Sequence, residues 1–314
     1  MKKIASIIFI AILLISLPMK GLNLKAHRGD VPDGYNFWLS KPADESTPKP
    51  VIIFLHGASL CGNNLDKVKH YGTIDAQEAG REIDAYVIAP QNPGGSWKPS
   101  KIKNVLDWVE ANNNVDTTRV YVLGMSLGGY GTIDFTAAYP DVVAAALAMC
   151  GGGTAKNLGI LNKVPLWIVH GTADNAVSVS KSDQIVAAIK EVDKDAPRLI
   201  YDRVPGMNHS QPARMFYKPE VYEWLFSHSL SEEGRPVHPA FKVNNEALSN
   251  VYKGLNMRRS RSTQTSTPKA KTTEPQSTKA KTTDKKQNSD TKKKPATETK
   301  KKQQQEQKPK SKKK

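Results

Sequence analysis

Cysteine is nearly absent: the 314 residues hold two, Cys61 and Cys150. With no Cys-x-x-Cys pair and no Cys/His cluster, the sequence offers no zinc-site pattern. Both cysteines follow predicted strands, on the side where functional loops should gather. A disulfide is possible there in an exported protein, and two thiols packed as small apolar groups is the preferred reading. Membrane-length apolar runs are also missing. Ile4 to Leu17 is apolar over about 14 residues, short of a span. No cysteine stands near its end, which argues against a lipid-modified N-terminus. Acidic residues are scarce at one end only. Met257 to Lys314 holds 5 Asp/Glu against 20 Lys/Arg and so carries +15 of the formal +16. The rest of the chain is nearly neutral and lacks a basic stripe with interleaved aromatics, so specific nucleic-acid binding is not expected of it.

The ends differ in kind from the middle. Lys2, Lys3 and the apolar run read as a signal peptide over residues 1–26, broken by Pro18 and Gly21, with Ala26 as cleavage residue. An uncleaved anchor is the alternative. The expected location is exported, periplasmic or secreted, with no transmembrane span after cleavage. From residue 257 to 314 the chain is Lys, Thr, Ser, Gln and Pro, with Ala270-Lys271-Thr272-Thr273 echoed by Ala280-Lys281-Thr282-Thr283. Such a segment cannot bury enough apolar surface to offset its ordering entropy and is expected to be disordered. Its charge suits an anionic surface, or it is a solvated extension. Residues 27–256 then form one domain, with its core at about 35–228, ample for a buried α/β core.

Between these ends, apolar and β-branched runs alternate with helical patterns. Strands are expected at Asn36–Leu39, Val51–Leu55, Ala85–Pro90, Val120–Leu123, Val142–Met149, Val164–Val169 and Arg198–Val204. Helical periodicity occupies Lys101–Asn112, Tyr130–Ala138, Ser180–Val192 and Glu220–His228, with a shorter helix through Ala76–Ala79. Residues 27–35 read as polar loop and Asp116–Arg119 as a turn. This alternation implies an α/β fold with a doubly wound, mostly parallel sheet, whose functional loops collect at the carboxyl ends of the strands.

Gly124-Met125-Ser126-Leu127-Gly128-Gly129 stands between a predicted strand and a predicted helix. Strand, Gly-x-Ser-x-Gly, helix is the setting of a nucleophile elbow, in which glycines clear a tight turn and the serine hydroxyl is thrust out above the sheet. A serine hydroxyl needs a base to take its proton and a carboxylate to orient that base. The partners of an elbow serine follow it in the order acid, histidine. His209 alone of the later histidines lies in a loop after the final strand; His228 ends the last helix and His238 lies further on. His27, His56 and His70 precede the serine, and His170 precedes the candidate acid and reads as structural. Asp174 follows a strand end about 35 residues before His209, whereas Asp183 falls in a helix, Asp202 in a strand, and Asp141 too close behind the elbow helix. The oxyanion requires two N–H groups aimed at one point. Leu127, next to the nucleophile, supplies one, and Ala58 after His56-Gly57 the other, with Ser59 as near alternative. Trp97 and Ser59 are candidate substrate contacts, Trp97 as a wall for an aromatic or sugar-like group or simply as packing under its loop.

Taken together, Leu55-His56-Gly57, the elbow through Gly131, His170-Gly171-Thr172-Ala173-Asp174 and Gly206-Met207-Asn208-His209 resemble the α/β-hydrolase superfamily. The chain is most similar to its secreted esterases and predicted peptidases: feruloyl and acetylxylan esterases, phospholipase/carboxylesterases and dienelactone-hydrolase-like proteins. Val115–Tyr121 and Val221–Leu225 fit that group, and the match covers about residues 35–228. The resemblance implies a Ser126–Asp174–His209 triad with no metal and no cofactor. Dienelactone hydrolases proper use a cysteine nucleophile, so Ser126 argues against that activity. Many lipases insert a helical lid after the strand that follows the elbow, but only Cys150 to Lys163 is available here. No lid domain is expected, and an open site suits a short acyl group on a bulky alcohol. The expected function is cleavage of small or polymer-linked carboxylic esters, such as acetyl or feruloyl esters on polysaccharide. The alternatives are a serine peptidase of the prolyl-oligopeptidase-like type and an inactive scaffold that binds anionic surfaces through its tail.

Overall fold

The computed structural model describes residues 22–257. The expected basic tail from 258 on, and residues 1–21 of the expected signal peptide, lie outside the described residues. Eight strands form one sheet: β1 (Asn23–His27), β2 (Phe37–Lys41), β3 (Lys49–Leu55), β4 (Tyr86–Pro90), β5 (Val115–Met125), β6 (Ala145–Met149), β7 (Leu166–Gly171) and β8 (Leu199–Val204). Their spatial order is β1-β2-β4-β3-β5-β6-β7-β8. β1 and β2 pair antiparallel, as do β2 and β4, and every pair from β4 to β8 is parallel. The helices are α1 (Thr73–Glu78), α2 (Pro99–Asn112), α3 (Leu127–Ala138), α4 (Ser180–Val192) and α5 (Pro219–Phe226).

Strand β3 shows why its sequence is an unbroken apolar run. Ile52 and Phe54 enter one core with Ile74 of α1 and Val221 and Trp224 of α5. Val51, Ile53 and Leu55 enter the opposite core with α2, α3 and α4. Side chains alternate across a strand, so a strand covered on both faces has no solvent-facing position left for polar residues. Each such aliphatic or aromatic side chain, fully buried, contributes about 1.5–3 kcal/mol. In α2, Pro99 opens the helix where no N–H is needed, and Ile102, Val105, Leu106 and Val109 at helical spacing bury one stripe.

Three stretches differ from the sequence reading. Asn23–His27 is an edge strand rather than leader or loop, in register with Lys41 to Phe37. Cleavage after Ala26 would remove four of the five residues of that strand. The turn expected at Asp116–Arg119 lies inside β5, yet its turn chemistry is present: Thr118 N–H donates to Asp116 Oδ1 (3.0 Å) and Arg119 Nε to Asp116 Oδ2 (2.6 Å). There the pairing of β5 with β3 shifts register, so the strand absorbs the turn as an irregularity. Beyond α5 the chain continues on the sheet's α1/α5 face, where Val243, Leu248 and Val251 are buried and Asn256 N–H donates to Ala79 O (2.8 Å). Among the described residues no helix is long and apolar enough to cross a membrane.

Candidate active site

The elbow is built from steric exclusion. Ser126 links β5 to α3 with φ 59° and ψ −121°, a backbone conformation that non-glycine residues seldom hold. A Cβ on Gly124 would lie 2.4 Å from Gly128 O, and one on Gly128 would lie 1.8 Å from Leu55 O. Both obstacles are backbone, in the central strand β3 and in α3 itself, so neither can swing aside. Gly128→Ala is therefore expected to destabilise the fold by at least about 4 kcal/mol, a large part of a domain's total stability. Thermal unfolding checks this, and a Tm within a few degrees of the parent would show that the turn has slack.

Two further strand ends bring the partners of Ser126. Asp174 lies in the loop after β7, and His209 in the loop between β8 and the 3₁₀ turn Gln211–Tyr217. His209 Nε2 is 2.9 Å from Ser126 Oγ, and His209 Nδ1 is 2.7 Å from Asp174 Oδ2. The Asp174 side chain is fully buried, whereas His209 is 27 % exposed at the opening. Burial pushes the Asp174 carboxyl up, but hydrogen bonds from Val177 N–H, His209 and Ala176 N–H outweigh it and hold the group below its usual range. A depressed carboxyl stabilises the fold above the ordinary aspartate range and loses that contribution as acid titrates it through its lowered value. The carboxylate is thus ionised at neutral pH, where it fixes a proton on His209 Nδ1 and leaves Nε2 as the acceptor facing Ser126.

The loop after β3 faces the elbow. Ala58 opens a 3₁₀ turn, Ala58–Leu60, capped by Gly57. As the first residues of their helices, Ala58 and Leu127 carry N–H groups with no partner inside the helix. Ser59 is exposed at the rim. Beneath the loop His56 is fully buried: Asn92 N–H donates to its Nε2 (3.0 Å), so Nδ1 carries the proton and donates to Gly57 O (2.8 Å). Burial lowers its pKa to about 4, which keeps the ring neutral. Of the two readings of Trp97, its position matches packing under its loop. It is 3 % exposed, with its indole N–H donated to His56 O (3.3 Å) and its ring closing on Gly131. Packed beneath the loop, the ring is not a free-standing substrate wall. It borders a cleft of about 520 Å³ with Lys98, Asp134, Thr154 and Lys156.

Several residues near the site were not singled out by the sequence as active-site parts. His170 is buried behind Asp174, with Nε2 2.9 Å from Val177 O and 3.3 Å from Asp174 Oδ2, and Nδ1 2.7 Å from Ser182 Oγ on α4. Burial lowers its pKa, so it is a neutral brace. Cys150, buried and at φ 38°, places its thiol 3.6 Å from His209 O. Cys61 and Cys150 are both free thiols. Among the described residues, Cys150, Asp174 and His209 bring potential ligand atoms within 4.8 Å of one another. Burial drives the Cys150 thiol far up, and Asp174 and His209 are already bonded to each other, so the set is committed to hydrogen bonding. Tyr71 accepts a hydrogen bond from Gly57 N–H (2.7 Å). A motif scan could have marked only His170, through the spacing His-Gly-x-x-Asp.

Residues 84–213 match the model of the dienelactone hydrolase family. Over 142 residues the chain is 27 % identical to poly(3-hydroxyalkanoate) depolymerase C of Paucimonas lemoignei, covering 40 % of this chain and 33 % of that protein. Over 258 residues it is 24 % identical to a probable acetylxylan esterase A of Neosartorya fischeri, covering 77 % of this chain and 62 % of that protein. The chain thus spans about a third of the first relative's length and under two thirds of the second's. Among solved structures, a thermostable esterase superposes with a TM-score of 0.53 at 24 % identity, covering 66 % of this chain and 63 % of that one. That likeness concerns the fold, which is the α/β-hydrolase fold.

Proposed function

We propose that this α/β-hydrolase chain is an exported serine hydrolase that cleaves carboxylic esters through an acyl-enzyme. The observation that carries the reading is the unbroken hydrogen-bond chain from Ser126 Oγ through His209 to the buried Asp174 carboxylate, ending on a serine held at positive φ. In this reading His209 Nε2 takes the Ser126 proton as Oγ attacks the ester carbonyl. Asp174 stabilises the imidazolium, and the N–H groups of Leu127 and Ala58 receive the oxyanion. Collapse expels the alcohol, protonated by His209, and water repeats the sequence on the acyl-enzyme. With serine rather than cysteine at the elbow, dienelactone hydrolysis is not the expected reaction.

Ester rather than amide substrates are favoured by relatives named as acetylxylan esterases and a poly(3-hydroxyalkanoate) depolymerase. Residues 150–165, between β6 and β7, contain only the short 3₁₀ turn Leu158–Lys163, so no helical lid is inserted there. An open approach suits a short acyl group, acetyl or feruloyl, on a bulky or polysaccharide alcohol. Export rests on the composition of residues 1–21, and contact with anionic surfaces on the basic residues from 258 on. A fluorophosphonate probe combined with a substrate panel tests the reading. Labelling is expected at Ser126, with acetyl p-nitrophenyl ester turned over faster than the palmitoyl ester and the matched anilide slower than either. No labelling of the folded protein would remove the enzyme assignment, and preferred anilide cleavage would move it to the peptidases.

A further inference from the structure

Tyr71 is held at the site by construction that the proposed chemistry leaves unused. Its ring packs between Phe54 (6.1 Å) and Phe216 (6.2 Å). The next residue, Gly72, sits at φ 98°, and a Cβ there would lie 2.1 Å from the Phe54 ring, so the segment is pressed onto the core. The phenol oxygen accepts from Gly57 N–H at 2.7 Å, in the same loop that presents Ala58. A methyl group built on Gly57 would touch the Tyr71 hydroxyl at 2.8 Å and Ser126 Cβ at 3.5 Å. One methyl-sized space therefore separates the phenol from the elbow serine. The acceptor side of the phenol is occupied, with the Ser59 hydroxyl also beside it. Among the described residues the rim hydroxyl of Ser59 is the one side chain beside the phenol that could take its proton, and no carbonyl or carboxylate does. A largely buried O–H beside the elbow serine, with only an exposed hydroxyl as competing acceptor, is free to donate to a substrate oxygen.

Resting on the serine-esterase reading, we propose that Tyr71 is a catalytic residue whose O–H donates to the oxyanion of the tetrahedral intermediate, as a third donor beside Leu127 and Ala58. As Ser126 Oγ bonds to the carbonyl carbon, the π pair moves onto the carbonyl oxygen and His209 holds the serine proton. Tyr71 keeps its own proton and lends a hydrogen bond to the new anion. On collapse the pair returns, the C–O bond to the alcohol breaks, and the departing oxygen takes the proton from His209. Because burial pushes the phenol above its ordinary value, Tyr71 stays protonated at neutral pH.

Tyr71→Phe tests this in the full chain with p-nitrophenyl acetate as substrate and phenylboronic acid, which forms a tetrahedral adduct on serine, as analogue. The expected result is a kcat lowered roughly 10²-fold with KM little changed, and phenylboronate affinity falling in parallel with kcat/KM. Parent values of kcat/KM and affinity would overturn the proposal. So would a lowered kcat with unchanged phenylboronate affinity, since that pattern marks only a structural role. If Tyr71→Phe does not fold, 3-fluorotyrosine at position 71 keeps the bond from Gly57 and acidifies the phenol. The alkaline limb of kcat should then move to lower pH, and an unmoved limb counts against a donated proton. Ser126→Ala keeps the two readings apart: turnover surviving that change would sink the esterase assignment itself, whereas turnover lost there but intact in Tyr71→Phe would sink only the role of Tyr71.

Discussion

Ser126→Ala is expected to lower kcat on an acetyl ester by about 10⁶-fold while leaving the fold intact, since the reaction loses its covalent route and His209 loses the proton it would take. Among the described residues the side chain of Ser126 hydrogen-bonds only to His209 Nε2, and the residue is partly exposed, so little packing is lost. Alanine meets the same backbone restriction as serine at φ 59°, so strain at the elbow is unchanged to first order. Parent and variant should therefore share a Tm within a few degrees and differ in labelling by a fluorophosphonate. Ester turnover within about 10² of the parent would mean that another group attacks the substrate.

Asp174→Asn is the second large effect, expected to reduce kcat about 10⁴-fold through the wrong tautomer rather than through lost packing. The geometry fixes which way an amide would lie. Ala176 N–H and Val177 N–H both donate to Asp174 Oδ1, at 2.9 and 2.8 Å, so the amide oxygen must occupy that place. The NH₂ group then takes the place of Oδ2 and faces His209 Nδ1, now 2.7 Å from a donor instead of an acceptor. His209 must turn Nδ1 into its acceptor and carry its proton on Nε2, where it can no longer accept from Ser126. His170 Nε2, 3.3 Å from the same Oδ2, would lose an acceptor as well. Steady-state kinetics across pH check the prediction, and a variant within about tenfold of the parent at every pH would dismiss Asp174 as the orienting acid.

The parts of the fold that were legible share one property: they are set by local sterics or by periodicity. The run Val51–Leu55 could only be a doubly covered strand, and α4 runs from Ser180 to Val192 as its apolar stripe requires. Gly124 and Gly128 are demanded by the turn itself, because a Cβ at either would enter backbone. The order serine, aspartate, histidine along the chain, with each at a strand end, was enough to name the three side chains that the fold brings into hydrogen-bond contact. Edge strand β1 was hidden because its residues follow directly on an apolar leader pattern, and its pairing with β2 spans an intervening loop.

What the sequence by itself determined is the α/β architecture, the elbow and the membership of the serine–histidine–aspartate contact, since spacing and steric exclusion act along the chain. Tertiary structure alone decided how the surrounding groups are used. It buried Trp97 as a support for His56 and set His170 behind Asp174 on the same carboxylate oxygen as His209. It also turned the Cys150 thiol toward the His209 carbonyl and laid the Tyr71 phenol against Gly57. These are hydrogen bonds and ring contacts between loops distant in sequence. Their partners are chosen by the way strand ends converge at one edge of the sheet, and no period or motif within a single segment carries that information.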